Sequence, residues 1–415
     1  MPVFTLSLSG ANARRAERAG VRGMTKNDWI VLGSELSPFT LKLLAMRHYK
    51  GLPCRHLPAE GGWLENIRIN LRKMRLVRGR LPLTWPEFTD EDEFPLVPFL
   101  FGPQGENLYD STAIAEWLDQ HFASLALIPP DPALAFCVRL LDEFADEWML
   151  YLVHHYRWKV SAADNTAGAR LAQELRTLTL GFRGPVRKFF SARQVRRLPY
   201  LFSVAPAGFT IPGLPRNRQP PSCAGFPPTH ALLEGSYRRI LLALEEIFSQ
   251  QACLFGKIPT LVDFSIYAQV GMNLSDPSAD RFIADTAPRT HAWAARMHRH
   301  AFDSAVTPDF ELRSSLKPLL AEVCRVYVPL MQQNAAAYER FRRQGETRFN
   351  EAAFNTGRCL YDGHLDGMPF RTVAKSFQAK TWRRLCKAWK ALSPAEQARV
   401  EAFLPANHGL GQYLG

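Results

Sequence analysis

From Trp29 onward, short apolar runs alternate with stretches of helical period. WIVLG (29–33) is a continuous apolar run of strand length, and Pro38 to Tyr49 repeats apolar residues at Phe39, Leu43, Leu44 and Met46 before Gly51, which predicts a helix. PCRHLPA (53–59) reads as a second short strand. The basic stretch from Trp63 to Arg80 has helical period. VPFLFG and ENLYD read as two strands with GPQG as the hairpin turn between them, and STAIAEWLDQHF as a helix with Ser111 at its cap. After IPPDP (128–132) the strand signal stops. Two long amphipathic runs follow, LAFCVRLLDEFADEWMLYLVHHYRWKV and HALLEGSYRRILLALEEIFSQQ, separated by a Pro-, Gly- and Arg-rich stretch over about 181–228. So long an irregular segment is uncommon in a compact helical domain, and a lid, a partner-binding loop and disorder are all open for it. KIPTLVDFSIYAQV starts a helix with Thr260 as N-cap and Asp263 completing a variant capping box. From Ser304 to the end the pattern is helical, through KPLLAEVCRVYVPLMQQNAAAYERF, AKTWRRLCKAWKAL and LSPAEQARVEAF.

These patterns predict an α/β domain over 27–125, a helical domain over 131–303 carrying the irregular insertion, and a helical extension over 304–415. Residues 1–26, rich in Arg and poor in acids, are set outside the fold as a disordered extension, a transit-type leader or residues before a true start at Met24. At 47% hydrophobic and 22% charged, the composition is that of a globular chain and excludes a wholly disordered one. The net charge of +12 is unevenly spread, with clusters at Arg14 to Arg22, Arg68 to Arg80, Arg183 to Arg197 and Lys380 to Lys390. No nucleic-acid-binding motif accompanies them, so solvated faces are the expectation and nucleic acid is not an expected partner. The seven cysteines are scattered and never form C-x-x-C, which argues against a disulfide framework or a thiolate zinc site and favours a reducing, cytoplasmic setting. No apolar run is long enough for a membrane span.

Candidate chemistry gathers at helix starts. In SELSPFTLK, Ser34 and Ser37 sit where the first strand turns into a helix, with Pro38 at the first helical position. Ser37 is either a plain N-cap or a hydroxyl donor to a ligand; Ser34 is its rival, and Thr40 trails both. Pro98 opens a strand and, lacking an N–H, belongs at a sheet edge. Asp110 and Ser111 begin a helix, where free N–H groups and the helix dipole favour a carboxylate ligand or simply a cap. The G-x-S-x-G elbow of a serine hydrolase is absent. Tyr151, His154, His155, Tyr156 and Trp158 make an aromatic cluster on one long helix, read either as core or as a pocket wall; His154 and His155 are adjacent and so point apart, which tells against a metal site.

SPFT after the first strand, LVPFLFGPQGENLYDSTAIAEWL and PTLVDFSIYAQV together resemble the glutathione transferases, whose fold is a thioredoxin-like domain followed by an all-α bundle. SPF is similar to the motif of the tau-type and related bacterial serine enzymes. The resemblance covers about 27–300. It implies glutathione as cofactor and Ser37 (alternatively Ser34) as hydrogen-bond donor to its thiolate. It also implies a cis peptide before Pro98 that opens the Val97 backbone to a peptide ligand, Asp110 and Ser111 holding the γ-glutamyl group, and a capping box at Thr260 and Asp263 that is structural. Phe39, Tyr151, His155, Tyr156 and Trp158 would line the pocket of an apolar or aromatic electrophile. Transfer, lyase, dehalogenase or isomerase chemistry and a homodimer are implied; the alternative is a catalytically silent binding or assembly module that uses its basic insertion and tail. The long basic segment 61–93, the insertion and the extension depart from the family pattern.

Overall fold

The computed structural model describes residues 28–92, 96–122, 125–302, 309–405 and 410–414. The expectations for residues 1–26 lie outside the described residues. Strand β1 (Trp29–Leu32) leads into helix α1 (Pro38–Tyr49), β2 (Cys54–Leu57), α2 (Trp63–Val77), β3 (Phe99–Phe101), β4 (Asn107–Tyr109) and α3 (Ser111–His121). The sheet order is β2-β1-β3-β4. β1 and β2 run parallel, with Trp29 opposite Cys54, and β3 runs antiparallel to both β1 and β4. This is the thioredoxin-like arrangement that the sequence predicts.

The sheet is apolar on both faces, so it needs a cover on each. One face packs on α1 and α3 through Val31, Leu43, Leu100, Leu108 and Ile114. The other meets α2 through Leu32, Leu57, Ile69, Leu76, Phe99 and Phe101. The peptides Leu57–Pro58, Trp85–Pro86 and Val97–Pro98 are cis, the last as the resemblance implies.

The helical region begins with α4 (Pro132–Phe144) and α5 (Leu150–His155), joined by a π-helical turn at Ala145–Met149 and followed by another at Tyr156–Val160. Helices α6 (Ala167–Glu174), α7 (Arg183–Arg196), α8 (His230–Gln250), α9 (Leu261–Asn273), α10 (Pro277–Thr286) and α11 (Pro288–His298) come next. The capping box at the start of α9 forms as predicted, with Asp263 accepting from the backbone of both Thr260 and Leu254 at 2.8 Å. Two expectations are corrected here. The stretch 181–228 is not irregular throughout, because α7 occupies its first third. The part after Ser304 is not wholly helical: after α12 (Lys317–Glu322), α13 (Val328–Arg343) and α14 (Glu351–Asn355), strands β5 (Leu360–Leu365) and β6 (Met368–Val373) form a hairpin before α15 (Ser376–Lys390) and α16 (Pro394–Glu401). Its turn residues Asp366 and Gly367 both have positive φ, 51° and 74°. That is the backbone of a two-residue hairpin turn that asparagine, aspartate and glycine tolerate. Gly363 is equally determined, since a Cβ there would stand 2.4 Å from the Phe370 ring.

One buried charged group ties the two regions together. Lys42 on α1 is fully buried; its Nζ donates to Asp142 Oδ1 and Asp146 Oδ2, each at 2.7 Å, and to Thr112 Oγ1 at 2.9 Å. Asp142 also accepts from Ser265 on α9. A single ammonium thus joins α1, α3, the α4–α5 rod and α9. The two carboxylates more than offset burial and raise the Lys42 pKa, so it stays charged.

Candidate functional site

A cavity of about 310 Å³ lies where the starts of α1 and α3 and the turn at 96–98 face the α4–α5 rod. Ser37, Phe39, Val97, Pro98, Asp110, Ser111, Tyr151 and Trp158 all line it. Ser34, His155 and Tyr156 do not.

Ser37 is the N-cap residue of α1 by its backbone (φ −97°, ψ 126°), and its carbonyl accepts from Thr40 and Leu41. Its hydroxyl, however, makes no capping hydrogen bond. Pro38 at the first helical position lacks an N–H, and the Ser37 side chain faces the cleft instead. Ser34 is engaged elsewhere: its Oγ accepts from Leu36 N at 3.2 Å and meets the Glu174 carboxyl. The buried Thr40 hydroxyl finds no partner among the described residues and packs against Gly33, outside the cleft.

Beside Ser37, Leu96 N donates to the Tyr109 hydroxyl at 3.2 Å, which fixes the approach to the cis peptide. Among the described residues neither the N–H nor the C=O of Val97 has a hydrogen-bond partner. At α3 the cap is Asp110, not Ser111: Asp110 Oδ1 accepts from Ala113 N at 2.9 Å, and Ser111 is the first helical residue. Asp110 holds φ 67° and ψ 124°, a sparsely populated conformation for a residue with a side chain. Burial raises its pKa, against the pull of the Ala113 N–H, Lys42 and Arg384. The first N–H groups of α3 point toward the cleft end of the helix, where an anion is favoured.

The opposite wall is one face of the α4–α5 rod, Glu143, Asp146, Glu147, Leu150, Tyr151, His154, Arg157 and Trp158. These positions recur every three or four residues, as a helix face must. His155 and Tyr156 follow His154 around the helix and turn away from this face. His155 is fully buried between Ser203 Oγ (2.7 Å) and Glu234 Oε1 (3.1 Å), and Tyr156 packs against Tyr237 and Phe282. Their expected place in the pocket is therefore corrected; His154 takes it, its pKa pushed down to about 3 by burial and its ring therefore neutral.

Glu143 is 8% exposed, has no hydrogen-bond partner among the described residues, and has its pKa pushed well up by burial and by its neighbours Asp142, Glu147 and Asp146. Asp146 is pushed up to about 7 by burial and by the neighbouring Asp142, against the pull of Lys42. Opposite them stands Arg384; burial would lower its pKa, but Glu143, Glu116 and Asp110 outweigh that and raise it.

Several lining residues escaped the sequence reading. Phe190, Gln194, Arg197, Tyr200 and Leu201 come from the stretch read as an insertion, and Lys375, Phe377 and Arg384 from the C-terminal extension. Lys375 Nζ donates to Tyr151 Oη at 2.7 Å and lies over the Tyr151 and Tyr200 rings at 4.6 and 4.8 Å, while Gln378 Nε2 donates to the same hydroxyl at 2.9 Å. Nothing in the local pattern ties residue 375 to residue 151. The capping chemistry at Asp110 was within reach of the sequence, because aspartate is a preferred N-cap whose carboxylate accepts from the N–H three positions on, here that of Ala113.

Residues 36–121 match the family model described as the N-terminal domain of glutathione S-transferases. The model does not separate classes, so the tau-type likeness of SPF gains nothing from it. No curated protein matches the chain. Among solved structures, a glutathione S-transferase from Methylobacterium radiotolerans in complex with glutathione sulfonate is similar at 16% identity, covering 69% of this chain and 100% of its own, with a TM-score of 0.34. A β-etherase from Sphingobium sp. strain SYK-6 is similar at 18% identity over 65% of this chain and 94% of its own, with a TM-score of 0.40. A rice glutathione S-transferase in complex with glutathione is similar at 16% identity over 66% and 89%, with a TM-score of 0.36.

Proposed function

We propose, from the premise that residues 36–121 are a glutathione S-transferase N-terminal domain, that the chain is a glutathione-dependent transferase or lyase acting on an apolar or aromatic electrophile. The observation that carries this reading is the Ser37 hydroxyl, which stands at the start of α1, is not spent on capping, and faces the same cavity as the unpaired Val97 backbone and the start of α3.

The donor set suits the tripeptide. The Val97 N–H and C=O would pair with its central backbone like an added strand. The Ser111 end of α3 would take the γ-glutamyl carboxylate, and Asp110 the ammonium, whose arrival would draw the raised Asp110 pKa back down. Ser37 Oγ–H would donate to the sulfur, favouring thiolate over thiol. Hydrogen bonds to a charged group are worth about 1.5–3 kcal/mol. That corresponds to roughly ten- to hundredfold in thiolate population or in kcat/KM.

Aromatic walls at Phe39, Trp158, Phe190 and Phe377 suit an aromatic co-substrate. If the leaving group is an ether oxygen, the thiolate forms the C–S bond as the C–O bond breaks, and the Glu143 carboxyl, its pKa pushed well up by burial, would be the group to supply the proton. The proton lost by the thiol restores it.

The test is calorimetric titration with glutathione followed by thiolate absorbance in wild type, Ser37→Ala and Ser34→Ala. The expected result is millimolar or tighter binding in all three, with the thiolate signal lost only in Ser37→Ala. Absence of binding at millimolar glutathione overturns the reading. Binding with an unchanged thiolate signal in Ser37→Ala removes Ser37 from the role. A silent module is the second reading, favoured by one observation, that Lys375 and Arg384 project into the cleft where a co-substrate would lie; glutathione binding without turnover of any electrophile would support it.

A further inference from the structure

We propose that the basic, apolar-studded face formed by α2 and the α7 segment is a docking surface on which the protein lies against an anionic phospholipid membrane. Residues 63–80 carry six Lys and Arg against one acid, Glu65, and residues 176–197 carry seven against none. These two segments thus hold a net +12, equal to the formal charge of the whole chain, of which Arg193 and Arg197 pair with Glu351 and Arg197 faces the cleft. The rest of the molecule is balanced.

Eight of the eleven exposed large apolar side chains among the described residues fall on these two segments. Leu64, Leu180, Phe182 and Phe189 are 70–75% exposed, and Trp63 and Leu71 about half. The two segments adjoin near the start of α2, where the buried Asn66 Nδ2, on the side of the helix away from its exposed stripe, donates to Thr177 Oγ1 at 2.8 Å. On α2 the exposed positions Leu64, Arg68, Leu71, Arg75 and Arg78 form one stripe at intervals of three and four, so apolar and cationic groups share a face. Beside that stripe runs an open groove of about 920 Å³ in which Arg68, Arg75, Arg78 and Arg80 outnumber the acids Asp28 and Glu65, while Arg55 pairs with Glu65 and Arg72 with Asn107 and the Glu106 carbonyl, so the first four are the setting for phosphate groups.

An anionic membrane satisfies both halves of this chemistry: phosphates pair with the guanidiniums while Trp, Phe and Leu enter the interfacial layer. A nucleic acid would meet the arginines but leave the leucines without a partner. A second copy would set +12 against +12. No helix among the described residues is long and apolar enough to cross a membrane, so the association is peripheral.

Each basic residue near such a surface contributes about fivefold in partitioning. The test is co-sedimentation of the full chain with vesicles of phosphatidylcholine alone and of phosphatidylcholine with phosphatidylserine, at low and high salt. Wild type is expected to sediment with the anionic vesicles only, and to be released by salt. Arg68→Glu/Arg75→Glu should weaken partitioning at least tenfold. Leu64→Ser/Phe182→Ser/Phe189→Ser should weaken it with the salt dependence kept. All are exposed positions, and an unchanged Tm verifies the fold. No sedimentation with anionic vesicles, sedimentation unaffected by either variant, or tighter binding to duplex DNA or RNA that vesicles do not displace would each overturn the proposal. Glutathione plays no part in this readout, so it stands or falls apart from the proposed activity.

Discussion

Replacing Lys42 with methionine removes one cation and leaves the stem, so the perturbation is electrostatic with little cavity. The ammonium is fully buried and its partners Asp142 and Asp146 have side chains 0% and 10% exposed, which makes salt screening slight. Deleting one partner of a buried pair costs about 3–5 kcal/mol, because the remaining charge is stranded. For a unit of 150–250 residues that is a fall in Tm of roughly 6–20 °C. The loss has a definite pH signature. Without Lys42 the buried Asp146 carboxyl loses the cation that pulls its pKa down, so its folded pKa rises further above the unfolded one. Groups raised in this way stabilise fully below the unfolded pKa and lose that contribution as pH rises through the folded pKa. The deficit of Lys42→Met should therefore be smaller at pH 5 than at pH 8, and Lys42→Met/Asp142→Asn/Asp146→Asn should recover at least half of it. The assay is thermal unfolding by circular dichroism across that range. A single-variant loss below about 1 kcal/mol, a deficit flat with pH, or a triple variant no more stable than the single would refute the argument.

Three further outcomes are expected. In wild type, Asp146, raised to about 7, and Asp263, raised to about 6 against its capping hydrogen bonds, favour the folded state below pH 4 and lose that effect as pH passes 6 to 7; His154, lowered to about 3, acts in the opposite sense below pH 6.5. The Tm difference between Asp146→Asn and wild type should accordingly shift in the variant's favour from pH 5 to pH 8, and a constant difference would contradict the assignment. Gly367→Ala places a side chain at φ 74° in the β5–β6 turn and should cost about 1 kcal/mol, read by denaturant midpoint, whereas Gly345→Ala tests the same strain just past the C-terminus of α13. Lys375→Met removes the hydrogen bond to Tyr151 and both ring contacts, and should alter KM for the electrophile while leaving glutathione affinity within twofold; equal effects on both would argue against its place on the co-substrate side.

Legibility in the sequence followed the range of the interaction. The βαβ–ββα order and the α9 capping box were readable because each is set by nearby residues, whereas the cis peptide before Pro98 came only through the family resemblance, its own residues suiting an ordinary edge proline equally well. The β5–β6 hairpin carried an equally local signal, alternation around Asp366-Gly367, but was passed over within a run of helical segments. His155 was misassigned because side-chain type alone does not say which side of a helix meets the cleft, and π-helical turns at Ala145–Met149 and Tyr156–Val160 interrupt the period on which a wheel relies. Lys375 and Arg384 were invisible for a different reason. They reach the cleft by packing between segments more than two hundred residues apart, and no pattern in either segment names the other.

That long reach has a consequence for how the protein comes into being. Translation runs from Trp29 toward Leu414, so the thioredoxin-like domain and the α4–α5 rod emerge before the strand pair and helix that bring Lys375, Phe377 and Arg384. Domains fold as they are made. The growing chain therefore passes through an interval in which Ser37 and the start of α3 are in place while one side of their chamber is still inside the ribosome.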